Sequence, residues 1–266
     1  MKKPLSSVTV FTSNQPRHTA LVERLGTLAG RVNVIRECNT VRPGEVADFF
    51  KKSPTMQDYF SRVIAAEELV FGTPRFAQTD ADVREMPLKM GDLNRLDTEA
   101  FGDALDADAI VVFGSSYIKG WLADRLVELG AINIHMGVSP YYRGSSCNFW
   151  AAYDGRPELV GATLHRLSHG LDSGPILEDV RPSVKDYEAF ELGMRAVEAA
   201  HQRLACLLTE PALPPAIPQD RSQELRYTRN ADFTDDVAAE WLNRLPTPQQ
   251  IGQRLHAARE PQRVAA

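Results

Sequence analysis

The sequence predicts an α/β fold: a doubly wound, mostly parallel, Rossmann-like sheet with a short helical tail at its C-terminal end. Three observations carry this. Short β-branched runs alternate with segments of helical periodicity from residue 8 to about residue 208, the pattern of βαβ units and a parallel sheet. A proline cluster, Glu210 to Pro218 with four prolines in nine residues, ends that alternation because no helix or central strand can continue through it. The 266 residues suit one large domain with an appendage.

The elements follow in order. Val8 to Phe11 is the first strand. After the polar Thr12 to Arg17, His18 to Gly30 sets Leu21, Val22, Leu25 and Leu28 at helical spacing and closes on Gly30, read as the C′ residue. Val32 to Ile35 is the second strand. Ser53-Pro54 supplies an N-cap and a proline at the first helical position. The face of Met56, Tyr59, Phe60, Val63 and Ile64 follows, ending by Gly72. Strands are predicted at Val83 to Met86, Ile110 to Phe113 and Ala131 to Met136, with a helix from about Gly120 to Leu129.

A short helix over Cys147 to Tyr153 precedes strands at Val160 to Leu167 and Ile176 to Val180. Tyr187, Phe190, Met194, Val197, His201, Leu204 and Leu208 mark one face of a long helix. His201 reads there as a packed helix residue. The sheet unit, the main domain, is therefore expected over residues 1–210. Residues 211–266 form a Pro-rich linker and a dependent segment holding a strand at Leu225 to Tyr227 and helices at about Thr234 to Asn243 and Pro248 to Ala258.

Composition narrows the function classes. Lys and Arg number 30 against 35 Asp and Glu, a net charge of −5, without a basic block, so a dedicated nucleic-acid surface is not expected. Three dispersed cysteines form no C-x-x-C pair, which indicates neither a disulfide framework nor a cysteine zinc site. No signal-peptide core or membrane-length apolar run is evident. The expectation is a cytoplasmic enzyme of small molecules, with a homodimer left open.

Two segments carry chemistry. In Ala131-Ile132-Asn133-Ile134-His135-Met136, alternation puts Asn133 and His135 on one face. His135 falls at the carboxyl end of a parallel strand, where open α/β sheets place their sites. A buried polar pair satisfied by backbone is the competing reading. In Ser168-His169-Gly170-Leu171-Asp172-Ser173-Gly174-Pro175, two glycines frame an Asp; Asp172 is either a ligand-facing carboxylate or an Asx-turn residue holding its own loop. No G-x-G-x-x-G follows the first strand, which argues against a nicotinamide dehydrogenase.

Asn133-Ile134-His135, Pro140-Tyr141-Tyr142-Arg143-Gly144, Gly161-Ala162-Thr163 and Gly170 to Ile176, in this order, resemble the consecutive signatures of folate-dependent formyltransferases. That family includes glycinamide ribonucleotide, methionyl-tRNA and amino-sugar formyltransferases. The resemblance covers residues 83–180 well. It implies the formyltransferase fold, 10-formyltetrahydrofolate as formyl donor, no metal, and Asn133, His135 and Asp172 as the catalytic Asn, His and Asp. It also implies a folate pocket at Tyr117, Ile118, Lys119 and Asp172, with the backbone of His169 and Gly170; the Lys119 ammonium is equally read as a solvated cation.

The first loop, Ser13 to His18, lacks the glycine-rich sequence of the glycinamide ribonucleotide enzymes, and the tail lacks the basic barrel of the methionyl-tRNA enzymes. Amino-sugar formyltransferases are the better resemblance, with a nucleotide-linked amino sugar as acceptor. Arg17, Asn94 and Arg143 are the candidate acceptor contacts, each also readable as a surface charge, a turn residue or a loop ion pair. Formylation of a hydroxylamine or another small amine, and a non-catalytic folate or nucleotide binder, are the alternatives.

Overall fold

The computed structural model describes residues 3–40 and 53–259; the outermost ends of the two expected segments, 1–2 and 260–266, lie outside them. The chain runs β1 (Leu5–Thr12), α1 (Pro16–Gly26), β2 (Ala29–Cys38), α2 (Pro54–Phe71), β3 (Asp82–Lys89), β4 (Ala109–Val112), α3 (Trp121–Glu128), β5 (Ile132–His135), β6 (Tyr142–Gly144), α4 (Cys147–Tyr153), β7 (Ala162–Arg166), β8 (Ile176–Val180), α5 (Ala189–Leu207), β9 (Arg226–Thr228), α6 (Asp235–Asn243) and α7 (Pro248–Arg259). Short 3-10 turns fill several of the connections.

Seven strands form one sheet in the order β3-β2-β1-β4-β5-β7-β8. The first five are parallel, while β7 and β8 are antiparallel to their neighbours. Strand alternation divides the core. Val8, Val10, Val34, Val111, Ile132 and Ile134 face Leu21, Leu25, Val197 and Leu204 of α1 and α5. Phe11, Ile35, Ile110 and Val112 face Leu122 and Leu126 of α3. Helices on both faces make the sheet doubly wound, and Asn133 and His135 belong to the α3 face.

Two predicted details are corrected. The first helix stops at Gly26, and Gly30 lies inside β2. The sheet takes over there: the Leu5 amide donates to the Leu28 carbonyl at 3.0 Å, and a side chain at Gly26 would collide with Thr79. The long helix begins at Ala189, after Tyr187, and its buried face is Leu192, Ala196, Val197, Ala200, His201, Leu204, Ala205 and Leu207. Alanines let it sit close to the sheet. His201 is indeed packed, its ring 5.2 Å edge-on from that of Phe113.

The segment after the prolines returns to the sheet. Ile217 makes an antiparallel bridge to Ile176, and β9 pairs parallel to β6, aligning Tyr227 with Arg143. Ile251 and Leu255 of α7 enter a cluster with Tyr142, Trp150 and Leu192. Phe233 and Ala238 pack on Met56 of α2.

Candidate active site

In β5, Asn133 lies opposite His165 of β7, and His135 opposite Thr163. Because β7 runs antiparallel, it ends beside Ile132, at the amino end of β5. The connection after it therefore reaches His135 only by folding back across the sheet face. It does so: His135 Nδ1 lies 3.2 Å from Asp172 Oδ2, and Asn133 Nδ2 donates to Asp172 Oδ1 at 3.2 Å. The three predicted catalytic side chains are thus in one constellation.

The residue in the left-handed backbone region is Asp172 itself, at φ 46°, a conformation that Asp tolerates better than most residues. Gly174 serves close approach instead, since a side chain there would meet the Arg166 carbonyl.

Sequence reasoning missed His165. It is almost fully buried, and its Nδ1 faces the Arg166 carbonyl at 2.8 Å. That fixes Nδ1 as the protonated nitrogen and Nε2 as acceptor. Nε2 then receives a hydrogen bond from Asn133 Nδ2 at 2.9 Å. Both amide hydrogens of Asn133 are committed, one to His165 and one to Asp172, so its carbonyl oxygen is the atom left for a ligand. The signal was available: Thr163 and His165 alternate on β7 as Asn133 and His135 do on β5.

The electrostatics follow from burial and pairing. Burial alone would lower the His135 pKa, but the facing Asp172 carboxylate, aided by the nearby Cys147 thiol, outweighs it and pushes the imidazole up to about 10. Burial acts to raise the Asp172 carboxyl, and the charge and hydrogen bond of His135 overcome it, holding the group well below the usual carboxylate range. His135 is therefore an imidazolium near neutrality. Its Nε2 is buried without a hydrogen-bond partner.

His135, Asn133 and Asp172 line a cavity of about 300 Å³. Its opposite wall is the strand-end segment 112–118. Gly114 there has φ 72° and would strike His18 if it carried a side chain, so the backbone itself faces the cavity. Glu37, fully buried at the end of β2, holds this wall: it accepts from the Ser116 amide at 2.5 Å, the Ser116 hydroxyl at 2.8 Å and the Gly91 amide at 2.8 Å. Glu37 is the one carboxylate in β2, and that was its sequence signal.

Of the predicted pocket residues, Tyr117, Ile118, Gly170 and Asp172 line this cavity, and Lys119 and His169 do not. The Lys119 amide is drawn aside to Asn94 Oδ1 at 2.9 Å. His169 turns its ring outward to within 3.5 Å of Asp124, while its carbonyl accepts from the Tyr117 hydroxyl at 2.5 Å.

The three candidate acceptor residues are not brought together. Arg17 pairs with the buried Glu67 at 2.9 Å, and Glu67 also accepts from the Arg17 amide at 3.0 Å; the start of α1 already has its anion. Asn94 uses both ends of its carboxamide on the Tyr117 carbonyl and the Lys119 amide, which makes it a brace of the cavity wall. Arg143 pairs with Glu224 at 3.0 Å, but its Nε is buried without a partner. It lines a second cavity of about 500 Å³ with Leu171, Arg221, Glu224 and Tyr227. Leu171 borders both cavities.

A doubly wound sheet carrying an Asn–His–Asp constellation at a strand end defines a class. The chain belongs to the formyl transferase family, whose signature matches residues 63–208. Among curated relatives, it is 32% identical over 108 residues to the GDP-perosamine N-formyltransferase of Brucella melitensis, 39% of this chain and 40% of that enzyme. It is 34% identical over 119 residues to the methionyl-tRNA formyltransferase of Pseudothermotoga lettingae, 44% of this chain and 38% of that enzyme. The matched stretch thus spans about two fifths of each relative's length. A 4-N formyltransferase of Francisella tularensis superposes over 94% of this chain and 87% of its own, with a TM-score of 0.52 and 17% identity, a likeness of fold. No helix among the described residues is long and apolar enough to cross a membrane.

Proposed function

We propose that this protein transfers a formyl group from 10-formyltetrahydrofolate to a primary amine on a nucleotide-linked sugar. The observation that carries this reading is His135: it lines a cavity walled by backbone, its Nδ1 is held by Asp172, and its buried Nε2 has no hydrogen-bond partner. The peptide groups of 114–118 suit the donor and acceptor edge of a pterin, and the unpartnered Nε2 suits a formyl oxygen.

The bound folate supplies the formyl carbon. His135 donates from Nε2 to the oxygen on which negative charge develops as the amine attacks, the preorganised arrangement whose removal costs about 10²–10³ in kcat. Asp172 is a poor proton store because its carboxyl is held low; it orients the imidazolium and keeps it charged. The Asn133 carbonyl oxygen accepts from the attacking amine and aligns its lone pair. His135 can then return its proton toward the departing folate nitrogen and take up the one the amine releases.

The acceptor's nucleotide half is assigned to the second cavity, where Arg143 and Arg221 offer charge and Tyr227 a half-exposed ring. The relative named for GDP-perosamine supports an acceptor of this kind, and the reading carries a cytoplasmic location with it. Incubation of the protein with 10-formyltetrahydrofolate and a panel of nucleotide-linked amino sugars, read by mass spectrometry, is the test. Gain of one formyl group, reduced at least about 100-fold in His135→Ala, is expected. Transfer only to a hydroxylamine would replace the acceptor class, and folate binding without transfer to any amine would overturn the catalytic reading.

A further inference from the structure

We propose that Gln219, beyond the proline-rich segment, is a positioning residue for the catalytic carboxylate, so that the C-terminal segment is part of the transfer machinery. The proposal rests on the function proposed above. Gln219 Nε2 donates two hydrogen bonds of 2.8 Å, one to the carbonyl of Asp172 and one to that of Gly174. Those are the carbonyls on either side of Ser173, and they include that of the residue with left-handed backbone. The reversed amide would set its oxygen against two carbonyl oxygens, so the assignment of nitrogen and oxygen is forced. The Gln219 Oε1 is buried and unpartnered, a cost that a residue serving only as linker would have no reason to carry.

Gln219 is itself rigidly presented. Two residues earlier, Ile217 exchanges hydrogen bonds of 2.7 and 2.8 Å with Ile176, fixing the strap to the first residue of β8. One residue later, Asp220 accepts from the Ser222 amide at 3.0 Å and the Gln223 side chain at 3.0 Å. The Asp172 connection folds back over the sheet, away from the end of β7 that starts it. Its other ties hold its ends, through the Leu167 amide on the Ala131 carbonyl and the Arg166 amide on the Pro175 carbonyl, its serine and His169 turns, and the Asp172 carboxylate itself on Asn133 and His135. Gln219 is the strut that grips the carboxylate's own backbone.

The test is a double-mutant cycle. Gln219→Ala is expected to lower kcat about 10- to 100-fold, the scale of a small misplacement of a reacting group, with a smaller rise in the KM for 10-formyltetrahydrofolate, since the 114–118 wall is untouched and only the 168–172 edge of the cavity is loosened. In an Asp172→Asn background the same substitution should have almost no further effect, because the residue acts through the carboxylate.

An NMR titration of His135, which faces Asp172, Cys147 and His165, reads the coupling without any acceptor. Its midpoint should fall in Gln219→Ala. Additive losses in the cycle, or an unchanged midpoint, would overturn the proposal. Should Gln219→Ala fail to fold, Gln219→Lys, whose ammonium can donate to both carbonyls, decides it: retained turnover and midpoint support the strut, and lost turnover with an unchanged midpoint overturns it. If the wild-type protein formylates no amine, the function proposed above fails while the titration still tests the strut.

Discussion

His135 and Asp172 together set a pH window. His135 is held above its ordinary 6.5, up to about 10, so its share of the pairing is complete below about 6.5 and is lost as pH rises toward 10. Asp172 is held below its ordinary 3.8, so its share is present above that value and is lost as pH falls. Both act between about pH 4 and 6.5. The stability difference between wild-type protein and Asp172→Asn, from urea denaturation, should be widest near pH 5 and much smaller near pH 10. Gly137 gives a second prediction: a Cβ there would lie 2.8 Å from His135 Nε2. Gly137→Ala should displace the ring and cut turnover at least about tenfold, with near-native circular dichroism. At this scale the shared face of Asn133 and His135 was legible because a strand's period is two. Arg17 and Asn94 were not, because Glu67 and the 117–119 backbone, which occupy them, lie far away in sequence and only the fold brings them near.

At the scale of elements, the cavity wall depends on a carboxylate from a neighbouring strand. Glu37→Gln keeps the shape but puts an amide N–H where an acceptor faced two amides and a hydroxyl. Losing charge-assisted hydrogen bonds worth about 1.5–3 kcal/mol should weaken folate binding about 10- to 100-fold by calorimetry, while the His135 titration stays in place. Most strands and helices were legible from periodicity and punctuation, down to Cys147–Tyr153 and Ile176–Val180. The end of α1 was not: Leu28 continues the helical spacing, but sheet pairing with Leu5 takes it, and tertiary hydrogen bonding overrides a local glycine signal. The reversal of β7 was equally hidden, since strand direction has no period of its own.

Across the whole molecule, the segment after the prolines shares cores with the sheet unit. Ile251 is buried against the cluster of Tyr142, Trp150 and Leu192. Ile251→Ala should therefore lower global stability by about 2–5 kcal/mol, seen in one shared denaturation transition of the tail and the sheet. The family was readable from the ordered motifs because the chemistry fixes residue types at strand ends. The docking of the tail was not, because Gln219 is a single polar residue in a proline-rich stretch and nothing local marks its partners.

The left-handed backbone at Asp172 has an evolutionary consequence. Only Gly, Asn and Asp sit comfortably at such a dihedral, and of these only Asp brings a charge. Substitution by Asn or Gly at this position would keep the fold, the cavity and the strap, and would lose the chemistry that the proposed function assigns to the carboxylate. On the proposed function, a single substitution here would thus remove formyl transfer and leave a folded protein, so a folded relative with Asn or Gly at this position is expected to show binding without transfer.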